Sequence, residues 1–256
     1  MTTLHSGAMP SHPGRRASHI ALGEPLRWLS HGLRDLRRVP FVGLAYGLMV
    51  TLMGWLVFAL GNHPYFIAAA LTGFLLLGPI LGAGLIEASR AIEAGETPTF
   101  DASLRGLSPH RAALERFAMV LLTLAAAWLL LSAWTLNAAV GPIAPSVTAS
   151  LWDDALRMMT SGQWGAWALI GAVLAVASFS ISVIAVPLIL HRDASASEAM
   201  RGSLRAVANH PIACAEWALL IVLLTAVGLV TALLGLIVIY PVLGHASWHA
   251  YQALRK

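Results

Sequence analysis

Five runs of this chain contain no Asp, Glu, Lys or Arg: 41–60, 65–86, 117–140, 165–190 and 217–244. Each of the first four reaches the roughly 20 apolar residues that an α-helix needs to cross a bilayer core. In hydrocarbon every backbone N–H and C=O must be paired within the segment or its closed sheet, and runs of this length satisfy that as helices. The fifth run is too long for one ordinary span. Composition agrees: 58% of residues are hydrophobic and 11% charged, against about 25% charged in soluble domains. The expected fold is all-α, a polytopic transmembrane helical bundle.

Residues 1–22 hold Gly, Pro, Ser, His and Arg around no apolar core. They read as a disordered tail and not as a secretory signal, which needs an apolar segment. Residues 23–256 read as a single membrane domain. The single cysteine, Cys214, excludes an internal disulfide framework.

The sequence pI near 9.8 has a topological explanation, so no nucleic-acid partner is expected. Arg27, Arg34, Arg37 and Arg38 precede the first run; Arg90, Arg105, Arg111 and Arg116 separate the second from the third; Arg192, Arg201 and Arg205 separate the fourth from the fifth; Arg255 and Lys256 follow it. Cytoplasmic loops are enriched in Lys and Arg. Both termini are therefore expected in the cytoplasm of a bacterial inner membrane, with 139–164 outside. An even number of spans follows.

The chain also repeats itself. Leu33, Arg34 and Pro40 match Leu204, Arg205 and Pro211; Gly73, Pro79, Leu81 and Gly82 match Gly235, Pro241, Leu243 and Gly244. SLRGLSP (103–109) and VPLIL (186–190) echo both blocks between them. Such self-similarity suggests three units, each an amphipathic lead-in followed by a helical hairpin. That gives six spans, at about 41–60, 65–87, 115–139, 164–190, 211–230 and 232–253. The final pair competes with a single tilted helix over 212–253. The first lead-in, 25–39, places Leu26, Leu29, Leu33 and Leu36 on a stripe, with Arg27, Arg34, Arg37 and Arg38 largely off it. A helix of this kind lies on an anionic membrane surface.

Few residues carry chemistry. His245 and His249, four apart, share a helix face and could ligate a metal or haem, with Glu87, His31 or His210 as a third ligand. No Glu lies between them to serve as a base. The repeat pairs His249 with Glu87, so Glu87, His245 and His249 form a candidate polar cluster at the cytoplasmic membrane face. Glu87, Arg90 and Glu93 read otherwise as a solvated helix extension. Glu216, within the fifth run, is the candidate intramembrane ionisable group. Pro79, Pro187 and Pro241 are expected to kink helices. Gly78, Gly82, Gly84 and Gly244 offer close packing. No catalytic residue is expected and no metal or cofactor is assigned.

WLSHGLRDLRRVP, GFLLLGPILGAGLIEASRAIEAGE, VPLIL, NHP and PVLGHASWHAY together resemble the DUF2189 family of bacterial integral membrane proteins, over about residues 22–253. The resemblance implies no established activity. Some members are labelled cytochrome c oxidase subunits, which would make His245 and His249 haem ligands, yet no histidine lies at the centre of an expected span. Three functions stand. The first is a non-enzymatic scaffold, assembly or partner protein, with a membrane-protein partner or a second copy of itself. The others are a small-solute transporter or channel, and a redox subunit using His245 and His249.

Overall fold

The computed structural model describes residues 20–60, 78–140 and 160–255. Among them all regular structure is helical: α1 (Glu24–Arg38), α2 (Pro40–Leu60), α3 (Ala83–Glu93), α4 (Phe100–Arg105), a 3-10 turn (Ser108–His110), α5 (Arg111–Val140), α6 (Ser161–Ser182), α7 (Ala185–Arg192), α8 (Ala196–Asn209), α9 (Pro211–Val230) and α10 (Leu236–Leu254). Residues 1–19 of the expected tail, Pro142, Pro145, Asp153, Asp154 and most of the expected second span lie outside the described residues.

Local chemistry sets the boundaries. A residue before proline is driven out of the helical region, and proline itself suits a first helical turn. Val39 (φ −130°, ψ 60°) and His210 (φ −132°, ψ 55°) accordingly break the chain in nearly the same way before Pro40 and Pro211. Ser195 and Glu198 close a capping box at the start of α8, as Thr160 and Gln163 do for α6. The Pro187 ring excludes the helical bond to Val183, and α6 and α7 part at Val183–Ile184. The freed Ile184 N–H donates to Ser203 Oγ at 3.2 Å.

Four helical stretches among the described residues are long and apolar enough to cross a membrane: Pro40–Val57, Phe100–Ser132, Ser161–Arg192 and Pro211–Val230. They carry much of the exposed apolar surface, including Leu48 and Leu52, Met119 and Leu130, Leu169 and Val173, and Leu219 and Val222. The expected sixth span is the helix α10, but it is not apolar over a sufficient length. Its second half carries His245, His249 and Gln252, which bond to other helices, and Ser247, which bonds back to Leu243 O.

Segment 212–253 is two helices and not one tilted helix. The chain reverses between Thr231 and Gly235, with Ala232 (φ 52°) and Leu233 (φ 70°) in the left-handed region. That costs backbone energy for residues with a Cβ. The turn is held from α2, where Thr51 Oγ1 donates to Leu233 O at 3.2 Å and Trp55 Nε1 to Ala232 O at 2.8 Å. Leu233 itself is buried with Val50 and Leu236.

α10 is the hub. α2 runs antiparallel to it, from Thr51 beside Leu233, through Gly47 against Ile237, to Gly43 beside Pro241. Pro241 cannot bond to the Ile237 carbonyl, and that oxygen abuts Gly47, where any Cβ would collide with it. α3 runs parallel to α10: Tyr240 Oη donates to Gly78 O at 3.0 Å, Gly244 packs on Leu85, and Gln252 Nε2 donates to Glu93 at 3.0 Å. Gly84 and Gly244 are close-approach positions, against Tyr46 and Leu85, and Gly82 sits in ordinary contact with Tyr240. Gly78 departs from the packing role read from sequence. A methyl there would meet nothing within 4 Å, because its carbonyl, not its missing side chain, makes the contact. The effect of Pro79 on its preceding turn lies outside the described residues.

The lead-in helices recur in one setting. Gly32, Ser103 and Ser203 each precede a Leu-Arg pair and each is buried. α1 packs on α9 and α10, α4 on α2 and α3, and α8 on α5, α6 and α7. Tyr46, Phe117 and Trp217 are each the seventh residue of α2, α5 and α9, and all three are fully buried aromatics. Tyr46 Oη shares a 2.8 Å hydrogen bond with Ser103 of α4, and Trp217 packs edge-on against Trp28 of α1. The helices that complete the three segments, α3, α7 and α10, touch one another.

Candidate functional site: a buried polar junction

α1 buries Pro25, Trp28, Gly32, Asp35 and Leu36. At 3.6 residues per turn these lie on one face. Gly32 is what lets this face reach α10, since a Cβ there would collide with the backbone of Val242 and Ala246. The approach carries Asp35, 5% exposed, into contact with two other helices.

Asp35 Oδ2 accepts from Ser89 Oγ of α3 at 2.9 Å and pairs with His249 Nε2 of α10 at 2.8 Å. Ser89 Oγ also lies 2.7 Å from His245 Nδ1. A hydroxyl has one proton, and an ionised carboxylate only accepts. The Ser89 proton is therefore committed to Asp35, and Ser89 must accept from His245. This assigns the neutral His245 ring its proton on Nδ1 and a lone pair on Nε2. That Nε2 is buried and has no hydrogen-bond partner among the described residues. It faces Gly43 of α2 and stands near Pro241. The His31 ring closes the outer side, edge-on to His249 with centroids 5.0 Å apart.

Burial alone would raise the Asp35 pKa. The hydrogen bonds from His249 and Ser89, with the nearby imidazoles, outweigh it and hold the carboxyl below its ordinary value. Burial, then His249 and Arg34, lower His31.

The arrangement holds Asp, His and Ser but not as a nucleophile. The serine bridges acid and imidazole, its proton points at the acid, and it is 1% exposed. Of the imidazole nitrogens, His249 Nε2 is taken by Asp35 and His245 Nδ1 by Ser89, which leaves His245 Nε2, facing Gly43, without a partner among the described residues. No group of three or more His, Cys, Asp or Glu among the described residues has a geometry that would hold a metal.

Of the cluster read from sequence, His245 and His249 come together, whereas Glu87 stands apart. Glu87 receives Arg90 in a two-pronged pair at 2.6 and 2.9 Å, and packs on Gly106, just after α4. Its parallel with His249 is one of position: each faces the lead-in helix beside it. Asp35 and Ser89 are the partners that the sequence reading missed. Asp35 lay in an arginine-rich helix and Ser89 in a segment read as solvated. The spacing of Trp28, Gly32, Asp35 and Leu36 was the available signal.

Glu216 reaches the start of α1. Its Oε2 accepts from the Gly23 N–H at 3.0 Å, just ahead of α1. An anionic acceptor at a helix N-terminus satisfies a free donor and complements the dipole. Glu93 accepts from Trp248 Nε1 at 2.6 Å, besides Gln252, and so fastens α3 to α10 a second time.

No curated protein and no solved structure matches the chain. Residues 65–191, about half of it, match the family model described as predicted integral membrane protein (DUF2189). Together with the four membrane-length apolar helices, that match identifies the chain as an integral membrane protein of the DUF2189 family.

Proposed function

We propose that this protein is a non-enzymatic scaffold, assembly or partner protein of a bacterial inner membrane, with both termini cytoplasmic. One observation carries the reading. The acidic groups within the helical bundle are spent on joining helices: Glu216 on α1, Asp35 on α3 and α10, Glu93 on α10. A transporter would be expected to leave such a group facing a path. The orientation is supported by charge. Every described Asp, Glu and Arg lies in 24–38, 87–116, 192–216 or at 255, which the contacts gather at one end of the bundle. Short loops rich in arginine stay on the cytoplasmic side.

The reading takes the chain as three units of lead-in plus hairpin. It is supported by the docking of α4 on α2 and α3, of α8 on α5, α6 and α7, and of α1 on α9 and α10. The membrane-length helices present apolar faces outward.

Native electrophoresis of membranes in mild detergent tests the reading. The chain is expected to migrate in an assembly larger than itself. Migration at its own size, with solute uptake by reconstituted vesicles that Glu216→Gln abolishes, would replace it with transport.

A further inference from the structure

The buried face of α1 is not its leucine stripe. Leu26 is 57% exposed, Leu22 just ahead of the helix is 79% exposed, and Leu29 and Leu33 are only partly covered. Leu26, Leu29 and Leu33 share one flank of the helix, beside the docked face. Arg27, Arg34, Arg37 and Arg38 cover the side away from that face, and all are exposed. Arg27 reaches Glu24 at 3.3 Å; Arg34, Arg37 and Arg38 have no acidic partner among the described residues. α1 ends one residue before α2, whose second residue, Phe41, is 89% exposed.

A helix that docked only on protein would bury its leucines there. This one docks through Gly32, Asp35 and Leu36 and leaves Leu26 exposed and Leu33 half-covered beside a row of cations with no acidic partner among the described residues. The row stands where α2 enters the bilayer, so the leucines continue the apolar surface of α2 and the guanidinium groups sit at headgroup level. We infer that this face of α1 is a docking surface for anionic phospholipid headgroups, with the leucines in the acyl boundary and Arg34, Arg37 and Arg38 on the phosphates. The chemistry is that of an interfacial helix, in which buried apolar area and attraction to anionic lipid act together.

The test uses the full chain in nanodiscs of mixed phosphatidylcholine and phosphatidylglycerol, with native mass spectrometry counting the lipids it retains. The expected result is preferential retention of phosphatidylglycerol. An Arg34→Gln, Arg37→Gln, Arg38→Gln variant should lose that preference about tenfold or more, because each cation at the surface contributes separately. The corresponding triple Lys variant should keep most of it, and circular dichroism should report both as folded. No preference in the parent overturns the proposal, and so does a Gln variant that retains it. A preference seen only when another membrane protein is present assigns the face to an acidic protein partner and overturns it too.

Discussion

Asp35 and His249 lie 214 residues apart in the chain and 2.8 Å apart in space. The bond joins the first described helix to the last. Ser89 makes it three-way, so one carboxylate oxygen holds α1, α3 and α10 together.

Replacing Asp35 by Ala should leave Ser89 and His249 without their acceptor inside a packed junction. The expected loss is about 2–3 kcal/mol of stability, since hydrogen bonds to a charged group are worth more than neutral ones. His249→Ala should cost less, about 1–2 kcal/mol, because Ser89 still serves Asp35. A double-mutant cycle by thermal unfolding in detergent should give a coupling near 1 kcal/mol. Additive losses would mean the pair does not interact in the folded protein.

Acid should weaken the same junction. The folded Asp35 pKa lies below its ordinary value of 3.8. Its stabilisation is therefore complete above that ordinary value and disappears as pH falls through the lower folded one. Unfolding midpoints measured downward from pH 6 should fall more gently in Asp35→Asn than in the parent. Parallel curves would remove Asp35 from the acid response.

Glu216 should behave as an anchor. Glu216→Ala should destabilise by about 1 kcal/mol, as loss of a capping acceptor does, and should expose the chain ahead of α1 to protease. Glu216→Gln, which keeps an acceptor oxygen, should do so by less. Limited proteolysis with N-terminal sequencing separates the two.

Two glycines should respond in opposite ways. Gly47→Ala places a methyl against the Ile237 carbonyl and should cost about 1–3 kcal/mol, as overpacking does. Gly78→Ala meets open space inside a helical turn and should be neutral or stabilising by up to about 1 kcal/mol. Thermal midpoints of the two variants suffice. Equal destabilisation would mean that α2 and α10 do not approach as described.

Much of the architecture was legible because hydrocarbon enforces it. The uncharged runs gave α2, α5, α6 and α9, and the prolines at 40, 187 and 211 fell at helix breaks. The turn before α10 was also legible, since a run as long as 217–244 has to reverse or tilt. The polar junction was not. Periodicity marked the leucines of α1 as a membrane-facing stripe and pointed to no face that docks on protein. Gly32 sets that face, since backbone proximity selects a face by what is missing from it. Ser89 carried no signal alone; its meaning came from a helix more than 150 residues away. The Gly23 partner of Glu216 was not legible either, because sequence shows the span that Glu216 begins and not the helix end beside it.

The docking of α1 on α10 also orders events in time. During synthesis α1 leaves the ribosome some two hundred residues ahead of residues 236–254. In that interval Asp35 has neither His249 nor a packed surface, and α2 has no α10 to lie against. The bilayer surface is the only support at hand for the helix. The contact between α1 and α10 can therefore form only after residues 236–254 have emerged, however early α1 itself is made.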